Sequence, residues 1–529
     1  MTELIPAKAT FAPGEPIEIE VRGAPGAGRV SLWHLDECVA TSDVAVDARV
    51  AQFPPQPEGG YGVEGLGVHT ALDVLADPLS RARYGFVSDF AAGRDVVGVV
   101  DNIRRLHLNA VQFYDWMYRH ADLLPPADDF VDALGRTLSL ATVRRLVAGL
   151  HAAGSLALGY AAVYAAGRDE WPSWRSDGLF RSTGEPWTLG DDFLWNVDPT
   201  SERWQAHFAA DLRAAVAEVG FAGFHLDQYG APKDALRADR TRVDLAEAFP
   251  ALIDRLAGEL PRSRLIFNNV NDFPTWSTAA ANQAAVYIEV WSPHDRLAHI
   301  SGLVTKARSL APTKSVILAA YLSVFANGSR VGAAEAQRLL LATVFSHGGT
   351  ALLHGEERGV LTEAYYVKHS ELDPVDQSST RRYYDFAVRY GDLLFDRTSV
   401  DVTGTRLGGV NEEMRIRASV PVSVDPVAGA LWTRVLRLPQ GLLVSLIDLS
   451  RQSDDRWDAP KQPARQLEDV RVSVERSGRT TAVRFLFADP DGNPEMKALV
   501  PESDGRYDTV SLPAFSTWAI LWLPDSDDA

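Results

Sequence analysis

Two acidic residues stand where a sheet would release them into a cleft. Asp227 closes the run Gly223-Phe224-His225-Leu226, and Glu289 closes Val286-Tyr287-Ile288. Both runs are short and rich in apolar, β-branched or aromatic residues, the composition of a buried strand. An aromatic follows each acid by two positions, Tyr229 and Trp291. Paired carboxylates beside aromatics suit the cleavage of glycosidic bonds. One acid supplies a proton to the leaving oxygen, while the other attacks the anomeric carbon or activates water.

The elements that must position these acids repeat along the chain. Strand-like runs fall at Tyr84–Phe90, Ala110–Asp115, Leu156–Tyr164, Gly223–Asp227, Leu265–Asn269, Val286–Glu289, Val316–Tyr321 and Ala351–His354. Helical periodicity fills the intervals at Val96–Leu106, Ala141–Ala152, Glu202–Val219, Leu245–Leu260, Arg296–Leu310 and Ala334–Phe345, with a last helix over Thr380–Leu394. Eight evenly spaced units predict an α/β fold, a (β/α)8 TIM barrel over residues 81–396; a doubly wound sheet would not need eight. Residues 1–80 read as an N-terminal β-sandwich of immunoglobulin-like kind, with strands at Ile17–Val21 and Val30–Leu35. Pro54, Pro55, Pro57, Gly59 and Gly60 are expected to form a loop. The glycine-rich stretch 23–28 lacks the Lys-Ser/Thr of a phosphate loop and is expected to be a turn. Residues 397–529 read as a C-terminal β-sandwich, with strands at Val435–Leu438, Leu442–Leu449, Val470–Val474, Thr481–Phe487 and Trp518–Leu523. Within it, Asp489-Pro490-Asp491-Gly492-Asn493 resembles half a calcium loop but lacks the distal Glu, which favours a hairpin turn.

Active sites of such barrels lie at the C-terminal ends of the strands. The polar and aromatic residues expected there are Asp89, Tyr114, Asp115, Trp116, His120, His225, Asp227, Gln228, Tyr229, Asn268, Asn269, Glu289, Trp291, Tyr321, His354 and Glu356. One strand separates those ending in Asp227 and Glu289, so the strand ends lie roughly 10 Å apart. Inward-leaning side chains would bring the carboxyl groups to about 5 Å, the spacing of retaining glycosidases; inverting enzymes need about 6.5–9.5 Å. His225, Asp227, His294 and His354 are conceivable metal ligands, but no His-x-His or His-Glu-x-x-His spacing occurs, and no metal is expected.

Composition narrows the partners. A net charge of −18, from 70 acidic and 52 basic residues, argues against nucleic acid and anionic membrane surfaces. Cys38 is the only cysteine, so there is neither an intrachain disulfide nor a cysteine metal cluster. Met1 to Phe11 has no basic and apolar leader pattern, and no apolar run approaches the ~20 residues of a membrane span. A cytoplasmic location is therefore expected, or secretion if a leader has been removed. Oligomeric state is not readable.

Several blocks, taken in order, resemble glycoside hydrolase family 66, the dextranases and cycloisomaltooligosaccharide glucanotransferases. They are Arg83 to Phe90, Asn109 to Trp116 with Tyr118-Arg119-His120, Gly223 to Gly230, and Tyr287-Ile288-Glu289-Val290-Trp291. The resemblance implies a retaining, cofactor-independent attack on internal α-1,6-glucosidic bonds of dextran or isomaltooligosaccharides, with Asp227 as nucleophile and Glu289 as acid/base. It makes Tyr114, Asp115, His120, Asn269 and Trp291 candidates for glucosyl subsites. It departs from the family pattern at Gln228, where a small hydroxyl residue is frequent. Cyclising members carry an inserted carbohydrate-binding module. The longest interval here, Ala165 to Ala222, is read as one loop and one helix, which favours hydrolysis. The other readings are a barrel hydrolase of altered linkage or exo specificity and a catalytically silent sugar-binding protein.

Overall fold

In the computed structural model, which describes residues 2–23, 26–46, 49–363, 368–476 and 482–525, the middle of the chain builds one large curled sheet. Among the described residues its successive parallel strands are Tyr84–Val87, Ala110–Phe113, Leu156–Ala162, Gly223–Asp227, Arg264–Val270, Ala285–Glu289, Ser315–Ala319 and the run 350–355. In that last run, Thr350 and Ala351 pair with the seventh strand, while Gly355 pairs with Phe86 of the first. The remaining edge continues into two short antiparallel strands, Gly359–Leu361 and His369–Glu371.

Parallel strands need long crossovers, and helices supply them. They span Val96–Arg105, Leu140–Ala152, Glu202–Val219, Leu245–Glu259, Leu297–Leu310 and Arg330–Ser346; the crossover from the fifth to the sixth strand holds only the short helix Thr275–Thr278, and the helix Pro374–Arg389 follows the last parallel strand. Asp95, Ser201, Asp244 and Asp373 each accept a backbone N–H at a helix start, satisfying donors that the helix leaves open. The helix before the Asp227 strand ends at Gly220, whose φ of 90° is a left-handed stop, and the chain turns into Gly223 within three residues. Gly223 then lies so close to its neighbour that a Cβ would sit 1.8 Å from the carbonyl oxygen of Arg264. That approach sets the pairing of the fourth and fifth strands.

The flanking segments each form two sheets. At the N-terminal end, Glu3–Pro6, Ile17–Arg22 and Val50–Phe53 make one; Gly28–His34, Glu37–Val44, Gly59–Gly65 and Val68–Val74 make the other. Leu4, Ile17, Ile19, Val30, Leu32, Val63 and Leu72 share the core of this part. Arg83, fully buried at the start of the first parallel strand, ties it down. Its guanidinium donates to both carboxylate oxygens of Asp73 and to the Ala9 carbonyl. Residues 54–58 form the expected loop, but Gly59 and Gly60 open a strand instead. Their lack of side chains serves close packing, since a Cβ on Gly60 would meet the Val388 carbonyl at 2.2 Å.

At the C-terminal end, a larger sheet centres on Leu431–Leu438, Gly441–Asp448 and Trp518–Pro524, and a smaller one on Arg471–Glu475 and Tyr507–Ser511. The larger sheet is apolar on both faces. Trp432, Leu436, Leu443, Ile447, Trp518 and Trp522 pack into the core of the central part, while Leu431, Val435, Val444 and Leu446 face the small sheet. This is the alternation expected of a sheet sandwiched on both sides. Asp489 accepts backbone N–H groups from Asp491, Gly492 and Asn493, forming the turn of the hairpin Phe485–Ala488 with Lys497–Leu499. Thr481, at the start of the strand expected there, lies outside the described residues, and the described strand begins at Phe485.

Several expected bounds move: the first parallel strand ends at Val87 rather than Phe90, and the helix expected from Ala334 begins at Arg330. The last helix begins at Pro374, six residues before the expected start, because Asp373 caps it and proline fits its first turn. The interval 165–222 is richer than one loop and one helix: Ala165–Gly167, Thr188–Leu189 and Leu194–Asn196 form a small sheet over the rim. No helix among the described residues is long and apolar enough to cross a membrane.

Gly223→Ala should be costly. Overpacking at such a contact destabilises by about 1–3 kcal/mol or more, so the variant is expected to lose several degrees of apparent Tm. A Tm equal to wild type would show that the fourth and fifth strands are not held by this approach.

Candidate active site

Asp227 and Glu289 end their strands at the same rim, and the fifth strand between them supplies Asn268. The Asn268 amide nitrogen donates to both acids, 2.7 Å to Asp227 Oδ1 and 3.0 Å to Glu289 Oε2. Two oxygens bound to one nitrogen cannot be farther apart than the two bonds end to end, under about 6 Å. The other oxygens are held as well: Tyr160 donates to Asp227 Oδ2 at 2.7 Å, and Tyr321 to Glu289 Oε1 at 3.0 Å. Trp291 adds a further hydrogen bond to Glu289.

Strand parity explains which residues reach this place. Gln112 and Tyr114, His225 and Asp227, Asn268 and Val270, and Tyr287 and Glu289 are pairs two apart that line one cavity of about 560 Å³. The residues between them, Phe113, Leu226, Asn269 and Ile288, are fully buried on the other face. Loops complete the wall with Asp115, His120, Leu134, Leu189, Phe193, Lys233, Asn271 and Phe273.

Burial dominates the electrostatics. It pushes Asp227 up to about 7, helped by the neighbouring Glu289 charge and opposed by the bonds from Asn268, Tyr160 and the Gln228 backbone. Glu289 is raised by burial too, against hydrogen bonds from Asn268, Tyr321 and Trp291. Two like charges this close disfavour full ionisation, so the pair holds one proton between them near neutrality. Glu289, 8 % exposed, lies deeper than Asp227, which keeps part of its surface towards the cavity. Burial disfavours the charged form of both, so the retained proton belongs to the coupled pair rather than to either acid alone. Asp115 is raised to about 6 by burial, opposed by Arg136. Burial lowers His120 to about 4, with Arg119 adding, and His225 to about 3, so both rings are neutral at pH 7.

Of the residues expected at the rim, Asp227, Glu289, Tyr114, Asp115, His120, His225, Gln228, Tyr229, Asn268, Trp291 and Tyr321 meet around the cavity. Gln228 reaches it with its polar atoms already bound, donating to the Asn268 and Phe273 carbonyls and accepting from Gly230, so it braces the loops. Five expected residues do not reach it. Trp116 is fully buried against Phe221, its indole bonded to the Tyr160 carbonyl. Asn269 has the opposite parity from Asn268 and bonds the Tyr287 carbonyl and Thr278. His354 points behind the sheet to Tyr384 and Gln337. Glu356 accepts from the Ser88 and Asp89 backbone and pairs with Arg94. Asp89 is held outside the cavity near the same arginine.

Tyr160, Gln112 and Tyr287 were not anticipated. They sit inside strands rather than at their ends, and the available signal was register: Tyr160 pairs with His225, and Gln112 and Tyr287 share the parity of Tyr114 and Glu289. No group of three or more His, Cys, Asp or Glu among the described residues is arranged to hold a metal ion.

A cycloisomaltooligosaccharide glucanotransferase of Niallia circulans is 26% identical over 396 residues, covering 65% of this chain and 40% of its own. A dextranase of Streptococcus salivarius is 23% identical over 546 residues, covering 87% of this chain and 65% of its own. The chain thus spans less than two thirds of the length of these relatives. The crystal structure of a Paenibacillus sp. cycloisomaltooligosaccharide glucanotransferase, complexed with cycloisomaltoheptaose, superposes with a TM-score of 0.88 at 19% identity, over 99% of this chain and 100% of that one. The model of Glycosyl hydrolase family 66 matches residues 6–522. The chain belongs to glycosyl hydrolase family 66.

Proposed function

We propose that this chain is a retaining glycosidase that cleaves α-1,6-glucosidic bonds of dextran or isomaltooligosaccharides. The carrying observation is the Asn268 bridge, which holds one oxygen of each carboxylate on a single amide nitrogen and so supports the short spacing that direct attack on the anomeric carbon uses. Glu289 donates its proton to the glycosidic oxygen as Asp227 attacks C1 and the C1–O bond breaks. The glycosyl unit is then carried on Asp227, and Glu289, now a carboxylate, takes a proton from water as that water attacks C1 and the bond from C1 to Asp227 breaks, releasing its carboxylate. Tyr160 and Asn268 hold Asp227 in place for attack; Tyr321 and Trp291 orient Glu289. Asp115, His120 and Tyr114 are positioned to meet sugar hydroxyls.

The same reading takes the central sheet as a complete (β/α)8 barrel, supported by the run 350–355 pairing with both the seventh and the first strand. It takes residues 1–80 and 397–529 as separate β-sandwich units, supported by their own apolar cores. A second reading, transfer of the glycosyl unit to the same chain's far end, is favoured by the relatives named glucanotransferases. It shares the first step and differs only in the acceptor. The interval 165–222 is taken up by three short strands, two short helical turns and the helix Glu202–Val219, with no stretch of a module's length, which supports water as the acceptor.

Asp227→Asn and Glu289→Gln are each expected to lower kcat on isomaltooligosaccharides by several orders of magnitude with circular dichroism unchanged. Near-normal turnover in either would remove that residue from the mechanism. Proton NMR of the first product should show the α-anomer, and an initial β-anomer would contradict retention.

The two tyrosines separate the roles. Each donates to a carboxylate and so favours its charged form. Removing the hydroxyl raises the pKa of the acid it served. Tyr160→Phe should therefore move the acidic limb of the kcat/KM pH profile upward, and Tyr321→Phe the basic limb upward. The reverse pattern would exchange nucleophile and acid/base.

Stability carries a matching sign. Asp227 binds its proton more tightly folded than unfolded, so its burial costs nothing below the unfolded carboxylate pKa of about 3.9. The cost grows as pH rises from there to about 7 and is complete above that value. Asp227→Asn should raise apparent Tm at pH 8, with the gain shrinking towards pH 4. A pH-independent difference would mean that Asp227 is not held in the protonated direction by the fold.

A further inference from the structure

Of the thirteen tryptophans in the chain, Trp276 is the one left exposed, with 55 % of its surface in solvent. The other large hydrophobic residues at comparable exposure are valines and one leucine among the described residues. Its surroundings are specific. The indole stands edge to face with Phe273, ring centres 5.6 Å apart, and Phe273 is part of the cavity wall beside Asp227 and Glu289. Lys233, also on that wall, lies over the Phe273 ring at 5.0 Å. On the outer side, Lys306 stands 5.9 Å over the Trp276 ring and is bound to Asp272. A ridge of alternating aromatic and cationic groups thus runs from inside the cavity to the surface.

A lone indole beside a phenylalanine, lysines and an aspartate is not the apolar patch of a protein interface, which covers about 800 Å² on each partner. Its composition matches what a sugar ring needs: an apolar face to stack on and polar groups at its edge for the hydroxyls. The cavity of about 560 Å³ holds a short oligosaccharide, so a longer chain must leave it across the rim. The ridge lies where such a chain would emerge on the side of the fifth strand.

We propose that Trp276 is an outlying subsite that stacks on a glucosyl unit of a chain too long for the cavity, giving the enzyme a preference for polymeric over short substrates. The proposal rests on the glucan reading of the cleft. It assigns Trp276 a binding role remote from the reacting atoms, so the chemistry on short substrates does not depend on it.

The test measures kcat/KM on isomaltotriose and on long dextran for wild type, Trp276→Ala and Trp276→Phe. Trp276→Ala is expected to lower kcat/KM on dextran about fivefold, the size of a lost aromatic stack, and to leave isomaltotriose unchanged. Trp276→Phe should keep most of the dextran rate. In the Glu289→Gln background, dextran should quench intrinsic fluorescence, and Trp276→Phe should remove part of that quenching. An equal loss on both substrates, or no loss on dextran, would overturn the subsite while leaving the glucan reading intact. A wild-type enzyme that cleaves neither substrate would overturn both.

Discussion

Everything in the cleft depends on one amide placed between two buried acids. Without a shared donor, Asp227 and Glu289 would repel each other in a place where water cannot screen them. Asn268 turns that conflict into an arrangement: it accommodates charge on either acid, limits their separation and leaves one proton to be held between them. Tyr160 and Tyr321 fix the outer oxygens, so neither acid can rotate away to find another partner. A buried acid kept protonated beside one that is charged is the division of labour that glycoside cleavage needs.

The fold produces this arrangement through parity and register. Asp227, Asn268 and Glu289 come from three adjacent strands and face the same way because each lies an even number of residues from its neighbours on the cavity wall. The glycines at 220 and 223 bring helix, turn and strand into that register, with no side chain to hold the strands apart. The flanking sheets act at a distance. Arg83 with Asp73 on one side, and Trp518 with Trp522 on the other, anchor the central sheet from outside the cleft.

The paired acids and the strand–helix rhythm were legible because buried strands write themselves as short apolar runs ended by polar residues. What the runs do not reveal is the face of each residue. Asn269 and Asn268 are identical in type and adjacent, yet one bridges the acids and the other bonds a backbone carbonyl behind the sheet. Trp116 and Glu356 lie just beyond strand ends, and His354 sits within the last strand run but faces behind the sheet, so their side chains serve the core and the rim loops. Tyr160 was hidden for the opposite reason. It sits mid-strand, and only pairing with His225 shows that it shares the level of the site. The small sheet in 165–222 is built from strands of two or three residues, too short for periodicity to register.

The central claim is that Asp227 forms a bond to the sugar. Mass spectrometry of the Glu289→Gln variant, quenched after exposure to α-isomaltosyl fluoride, tests this directly. The fluoride leaves without needing an acid, while release of the sugar from the enzyme still needs a base. The account predicts a glycosyl adduct on the peptide containing Asp227. An adduct on another residue, or fluoride release with inverted product and no adduct, would contradict it.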